Sequence, residues 1–179
     1  MKFLSERNIK LHKDFLRSER LRLSIIEKSY PDIVGKSARE ISRMRFDSRA
    51  EALDLICNIE CHELFFSSFS EGRVPSENAR RAFGSESGFL YDLYECAKGC
   101  REEFLFVYSD NGRISYSPSS RLCYLGKKNA VLAIDLCEHS YFLDYGFDRD
   151  EYLKGALDFL NISKLDKFCS RSIEKTKSV

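Results

Sequence analysis

The chain has 179 residues, 43% hydrophobic and 32% charged, long enough for one domain, or two small layers sharing a core, that buries about 70% of the unfolded surface. The 29 Lys and Arg against 28 Asp and Glu leave a net charge of +1, which offers no general electrostatic attraction to nucleic acid or to an acidic membrane. No stretch approaches the roughly 20 uncharged apolar residues of a membrane span, the first dozen residues contain no apolar signal core, and the seven Cys follow no secreted framework, so a soluble, reduced, cytoplasmic protein is expected.

Disorder is excluded by 14 Phe and 9 Tyr, which supply ample apolar area. The N-terminal third reads as helix: Leu4, Ile9, Leu11, Phe15, Leu16, Leu21, Leu23, Ile25 and Ile26 recur at roughly helical spacing behind Ser5 as N-cap. Pro31 and Gly35 end that helix near residue 29. Ser37 and Glu40 have capping-box spacing for a short helix, and a third helix is predicted from about Ser48 to about Phe69. After Gly72 and Pro75, two short helices are expected at Ser76–Phe83 and Ser87–Lys98. The period then changes. Phe104–Tyr108 reads as a strand, Asn111-Gly112 as a hairpin turn and Arg113–Ser117 as the returning strand. Ala130–Leu136 reads as a third strand and about Asp148–Leu160 as a closing helix, with a polar, frayed end from about Ser170. The expected fold is α+β, an antiparallel helical hairpin over residues 1–72 followed by a three-stranded antiparallel sheet with surrounding helices over residues 73–179.

The chain has three His residues. His12 and His62 fall on the two long helices, where antiparallel pairing can bring their rings together. His139 stands four residues after Asp135, beyond the third strand. Three imidazoles and a carboxylate form a ligand set suited to Fe, Mn, Zn or Cu. Spacing alone is too dispersed to be specific and favours three unrelated His residues, each a satisfied core or surface group.

The stretch Ala133-Ile134-Asp135-Leu136-Cys137-Glu138-His139-Ser140-Tyr141-Phe142-Leu143-Asp144-Tyr145 resembles the signature D-x-W-E-H-A-Y-Y-x-D-Y of the iron/manganese superoxide dismutases, with Cys137 in place of Trp. Leu4 to His12 is similar to the family's helix carrying the first ligand His, and Cys61-His62-Glu63-Leu64-Phe65-Phe66 to N-H-T-F-Y-W around the second. The resemblance spans about residues 4 to 168. It implies one iron or manganese ion per subunit held by His12, His62, Asp135 and His139, with superoxide as substrate. It also implies a homodimer in which Glu138 reaches the ligand His of the other subunit.

Departures surround the implied metal. Leu16 and Arg20 stand where the family has a gateway His and Tyr, and Phe142 stands for another Tyr. The chain has no Gln and no Trp, so Asn58 occupies the outer-sphere Gln position, while Phe66 and Cys137 occupy Trp positions and Glu103 lies near another. Second-shell groups tune the metal and deliver protons, so reduced activity is expected, with Asn58, Arg20 and Glu138 as candidate catalytic residues around the ligands. The alternative is a metal-binding protein of the same fold with another redox, storage or structural role. Cys57/Cys61 and Cys96/Cys100, each four apart, read as buried small hydrophobes before a zinc or redox pair, and Arg17, Arg20 and Arg22 as a solvated or interface edge.

Overall fold

The Ser5 hydroxyl accepts the Asn8 backbone N–H, satisfying one of the donors that the first helical turn leaves free. From that cap, α1 runs Glu6–Ser29 in a computed structural model that describes residues 3–72, 74–110, 112–121 and 130–166. After a 3-10 turn at Pro31–Ile33, the Ser37/Glu40 capping box opens α2 (Ala38–Ile41). The second long helix is α3, Arg49–Ser67. Contacts His12–Phe66, Glu19–Asn58 and Arg22–Glu51 run in opposite sequence directions along the two helices. The hairpin is therefore antiparallel.

The face that α1 buries differs from its apolar reading. Asn8, His12, Leu16, Glu19 and Ile26 form the buried stripe, at spacings of 4, 4, 3 and 7 that keep one side of a 3.6-residue helix inward. Leu11, Phe15, Leu21 and Ile25 are exposed. Three of the five inward positions are polar, an arrangement that burial tolerates only where each group finds a partner.

Downstream come α4 (Glu77–Phe83), α5 (Glu86–Gly99), β1 (Phe104–Asp110), β2 (Arg113–Ser119), β3 (Ala130–Asp135), α6 (Glu138–Tyr145) and α7 (Arg149–Asp158). The sheet is antiparallel in the order β2-β1-β3, which places β1 at the centre and explains its six consecutive buried residues. Helix α6 has no counterpart among the expected elements. Gly112, at φ 80°, supplies the left-handed backbone of the hairpin; Asn111 and the expected frayed end lie outside the described residues.

Two cores fill the molecule. A smaller one joins Ile26, Ile33, Ile41 and Leu55 at the far end of the hairpin. The larger combines Phe3, Leu4, Cys61 and Phe65 with the sheet and α5–α7, drawing residues from both sides of position 72. Among the described residues, no helix is long and apolar enough to cross a membrane.

Edge strand β3 is pinned to α3 by one side chain. Ser68, fully buried, donates its hydroxyl to the Leu64 carbonyl and accepts the Ala133 N–H at 2.8 Å. Ala133 faces Phe106 of β1 in register, and its N–H points away from the sheet to Ser68. Ser68→Ala leaves that N–H buried and unpaired, at an expected cost of about 1–3 kcal/mol. A urea denaturation midpoint indistinguishable from wild type would refute this.

Candidate metal centre

Four elements deliver four side chains to one point. His12 comes from the buried stripe of α1 and His62 from α3, one turn after Asn58. Asp135 is the last residue of β3, and His139 is the second residue of α6. The link between strand and helix is local: Asp135 Oδ1 accepts the Cys137 N–H at 2.9 Å, an Asx-type turn that starts α6 and swings His139 back over Asp135. The strand end is held from behind by the buried Tyr152 hydroxyl, which donates to the Asp135 carbonyl at 2.6 Å, and by the Leu136 N–H on the Glu103 carbonyl at 2.8 Å.

One donor atom from each of His12, His62, Asp135 and His139 lies within 4.8 Å of all the others. Asp135 Oδ2 is 3.3 Å from His62 Nε2, 3.3 Å from His139 Nε2 and 3.9 Å from His12 Nε2, and the Nε2 atoms of His62 and His139 are 3.4 Å apart. His62 donates its Nδ1–H to the Asn58 carbonyl at 2.8 Å, and the His12 Nδ1 meets Asn8 Oδ1 at 3.1 Å. Those partners take the protons on Nδ1, so both Nε2 atoms aim lone pairs inward, that of His12 also meeting the Ser140 hydroxyl at 3.3 Å. Asp135 Oδ2, fully buried, has no hydrogen-bond partner. Lone pairs facing a buried carboxylate oxygen are repulsive unless a proton or a metal ion sits among them. The donor set fits a first-row transition-metal ion.

Burial alone pushes the Asp135 carboxyl up, but the imidazoles of His12, His139 and His62 outweigh it and hold the group well below the usual carboxylate range. Burial lowers the His139 pKa, whereas a proton on Nε2, 3.3 Å from Asp135 Oδ2, is favoured more strongly by that carboxylate. The net direction is upward.

Above the four residues opens a cavity of about 470 Å³ lined by Leu11, His12, Phe15 and His139. Phe15 lies 5.9 Å from the His62 ring and 6.4 Å from that of His139, and the His139 side chain is 52% exposed. Phe66 meets His12 edge-on at 5.8 Å. Arg20, about two turns beyond His12 on α1, pairs with Glu63 at 2.6 Å and lines a second groove with Lys13, Leu16, Arg17 and Phe66. Asn58 donates its amide to the buried Glu19 carboxylate at 3.3 Å. Phe142 is exposed, and so is Glu138, in the first turn of α6. Glu103 forms an ion pair with Arg121, which also reaches Asp54 at 3.0 Å.

Burial pushes the Cys57 and Cys137 thiols up to about 12 and raises Cys61 as well. Protonated thiols are weak ligands and nucleophiles, in keeping with packing roles. Asn8, Phe15 and Tyr152 were not candidates from sequence. Asn8 and Phe15, at i−4 and i+3 from His12 on one helix, carried the only available signal.

Residues 76–168 match the family model for iron/manganese superoxide dismutases, C-terminal domain. This match covers over half of the chain and includes Asp135 and His139. Together with a helical hairpin, a three-stranded antiparallel sheet and a three-His, one-Asp cluster, it defines the class. The chain belongs to the iron/manganese superoxide dismutase family. No curated protein matches the chain.

If a metal completes this cluster, manganese(II) or iron(II) at about 100 times its Kd adds roughly 2.7 kcal/mol, raising the thermal midpoint of metal-free protein by roughly 5–10 °C. Asp135→Ala is expected to abolish the shift. Calorimetry with and without metal checks both, and an equal shift in the variant would place the ion elsewhere.

Proposed function

We propose that the chain is a superoxide dismutase using one iron or manganese ion held by His12, His62, Asp135 and His139. The observation that carries this reading is the orphaned Asp135 oxygen ringed by imidazole nitrogens in a chain of this family. The ion, when bound, supplies a one-electron couple that converts one superoxide to oxygen and a second to hydrogen peroxide. Everything else falls to the protein. Leu11 and Phe15 shape the approach to the centre, admitting a diatomic anion. The Asn58 carbonyl keeps the proton on His62 Nδ1, and Asn8 Oδ1 keeps it on His12 Nδ1, so both rings present Nε2 to the ion.

Peroxide formation consumes two protons, and the chain offers few groups to relay them. The Asn58 amide is engaged by Glu19, and Arg20 by Glu63. The half-exposed His139 borders an open cavity, so we assign proton supply to solvent entering there. This favours a dismutase slower than relatives with a complete relay. The same engagement of Asn58 supports the second reading, a metal protein of this fold with little dismutase activity. A dismutation assay on metal-quantified protein, iron and manganese forms compared, separates the two. The expected result is dismutation per bound metal above that of the free ion, nearly lost in His62→Ala and within about twofold of wild type in Arg20→Ala. Fully loaded protein with no activity above the free ion selects the second reading.

We further propose a two-fold homodimer formed over α6. Exposed Phe142 and Leu143, with Glu138 beside the half-exposed His139, support it, because a partner's carboxylate there would orient His139. Five described Cys residues are free thiols, which favours a reducing, cytoplasmic setting. Light scattering is expected to give twice the monomer mass at micromolar concentration; a monomer that retains bound metal would contradict the dimer.

A further inference from the structure

One side chain joins the first proposed ligand to the helix that carries the last. Asn8 is 1% exposed and stands one turn before His12 on α1. Its Nδ2 donates to the Ser140 carbonyl at 3.0 Å and to Asp144 Oδ2 at 3.1 Å. Two acceptors on that side fix the orientation of the amide, leaving Oδ1 to face His12 Nδ1 at 3.1 Å. The same Asp144 oxygen accepts the Ser5 N–H at 2.9 Å. Burial pushes the Asp144 carboxyl up, but hydrogen bonds from Ser5 and Asn8 bring it below its ordinary value, so it stays ionised as an acceptor. An apolar residue at position 8 would strand the His12 Nδ1–H in a dry interior and remove the second hydrogen bond to the Ser140 carbonyl.

We infer that Asn8 is a positioning residue for the metal centre: it sets the tautomer and ring orientation of His12 and couples that ligand to the docking of α1 on α6. This rests on the reading of His12, His62, Asp135 and His139 as metal ligands. Asn8 touches neither ion nor substrate. It acts through His12 on one side and through Ser140 and Asp144 on the other. A ligand on α1 and the helix carrying another are thereby joined by one amide, beside the Ser140 hydroxyl that meets His12 Nε2 at 3.3 Å and the Ser5 N–H on Asp144, so metal affinity and the α1–α6 contact share a determinant in Asn8.

The test measures manganese(II) affinity by chelator competition and the reduction potential of the iron form. Asn8→Leu is expected to weaken manganese(II) binding about ten- to hundred-fold, the range for a lost partner of a ligating His, and Asn8→Ala serves if the leucine variant does not fold. The charge-conserving exchange N8D/D144N puts a carboxylate against His12 and an amide at 144, so the hydrogen bond between the two positions re-forms. The acceptor for His12 is restored although the bond to the Ser140 carbonyl stays lost, so the exchange should recover part of the affinity and make the iron potential more negative, because an anionic partner enriches the imidazole and favours the higher oxidation state. Unchanged affinity in the position 8 variants, or an exchange variant with the wild-type potential, overturns the inference while leaving the metal centre standing. Wild-type protein that binds no manganese or iron stoichiometrically overturns both.

Discussion

The structure depends on one buried carboxylate. Asp135 ends an edge strand with both oxygens out of solvent: Oδ1 is satisfied by the turn that begins α6, and Oδ2 faces three imidazole nitrogens without a hydrogen bond. A buried charge is tolerated when it is paired or ligated, and here the compensating groups come from three different elements. The requirement explains why α1, α3, β3 and α6 meet at this point. It also explains the supporting contacts: Ser68 holding β3 to α3, Tyr152 and Glu103 holding the strand end, and Asn8 tying α1 to α6.

Around this centre the polar groups are used for assembly. The buried stripe of α1 carries Asn8, His12 and Glu19, and each is answered by a partner on α3 or α6. Glu19 takes the Asn58 amide and also pairs with Arg22 at 3.1 Å, while Arg20 crosses to Glu63. Asn58 and Arg20 are thus engaged in holding the hairpin together. The cavity over the centre keeps an apolar wall of Leu11 and Phe15.

The sequence by itself determined the elements whose causes are local. Ser5 and the Ser37/Glu40 box cap helices through hydrogen bonds within four residues, Gly112 permits the hairpin backbone, and β1 alternates with nothing because a central strand is buried on both faces. The four clustered residues were legible too, since they are all of the chain's His residues and an Asp in a recognisable segment. Helix α6 was not legible: it is eight residues long, and its start depends on the Asp135 side chain rather than on apolar periodicity. Only the tertiary structure decided which face of α1 turns inward, because the energy that selects Asn8, His12 and Glu19 over Leu11, Phe15 and Ile25 lies in partners more than thirty residues away. The same reason paired Arg20 with Glu63 and Asn58 with Glu19. A side chain's neighbours along a helix are set by its spacing, but its bonding partner is set by whichever element packs against that face.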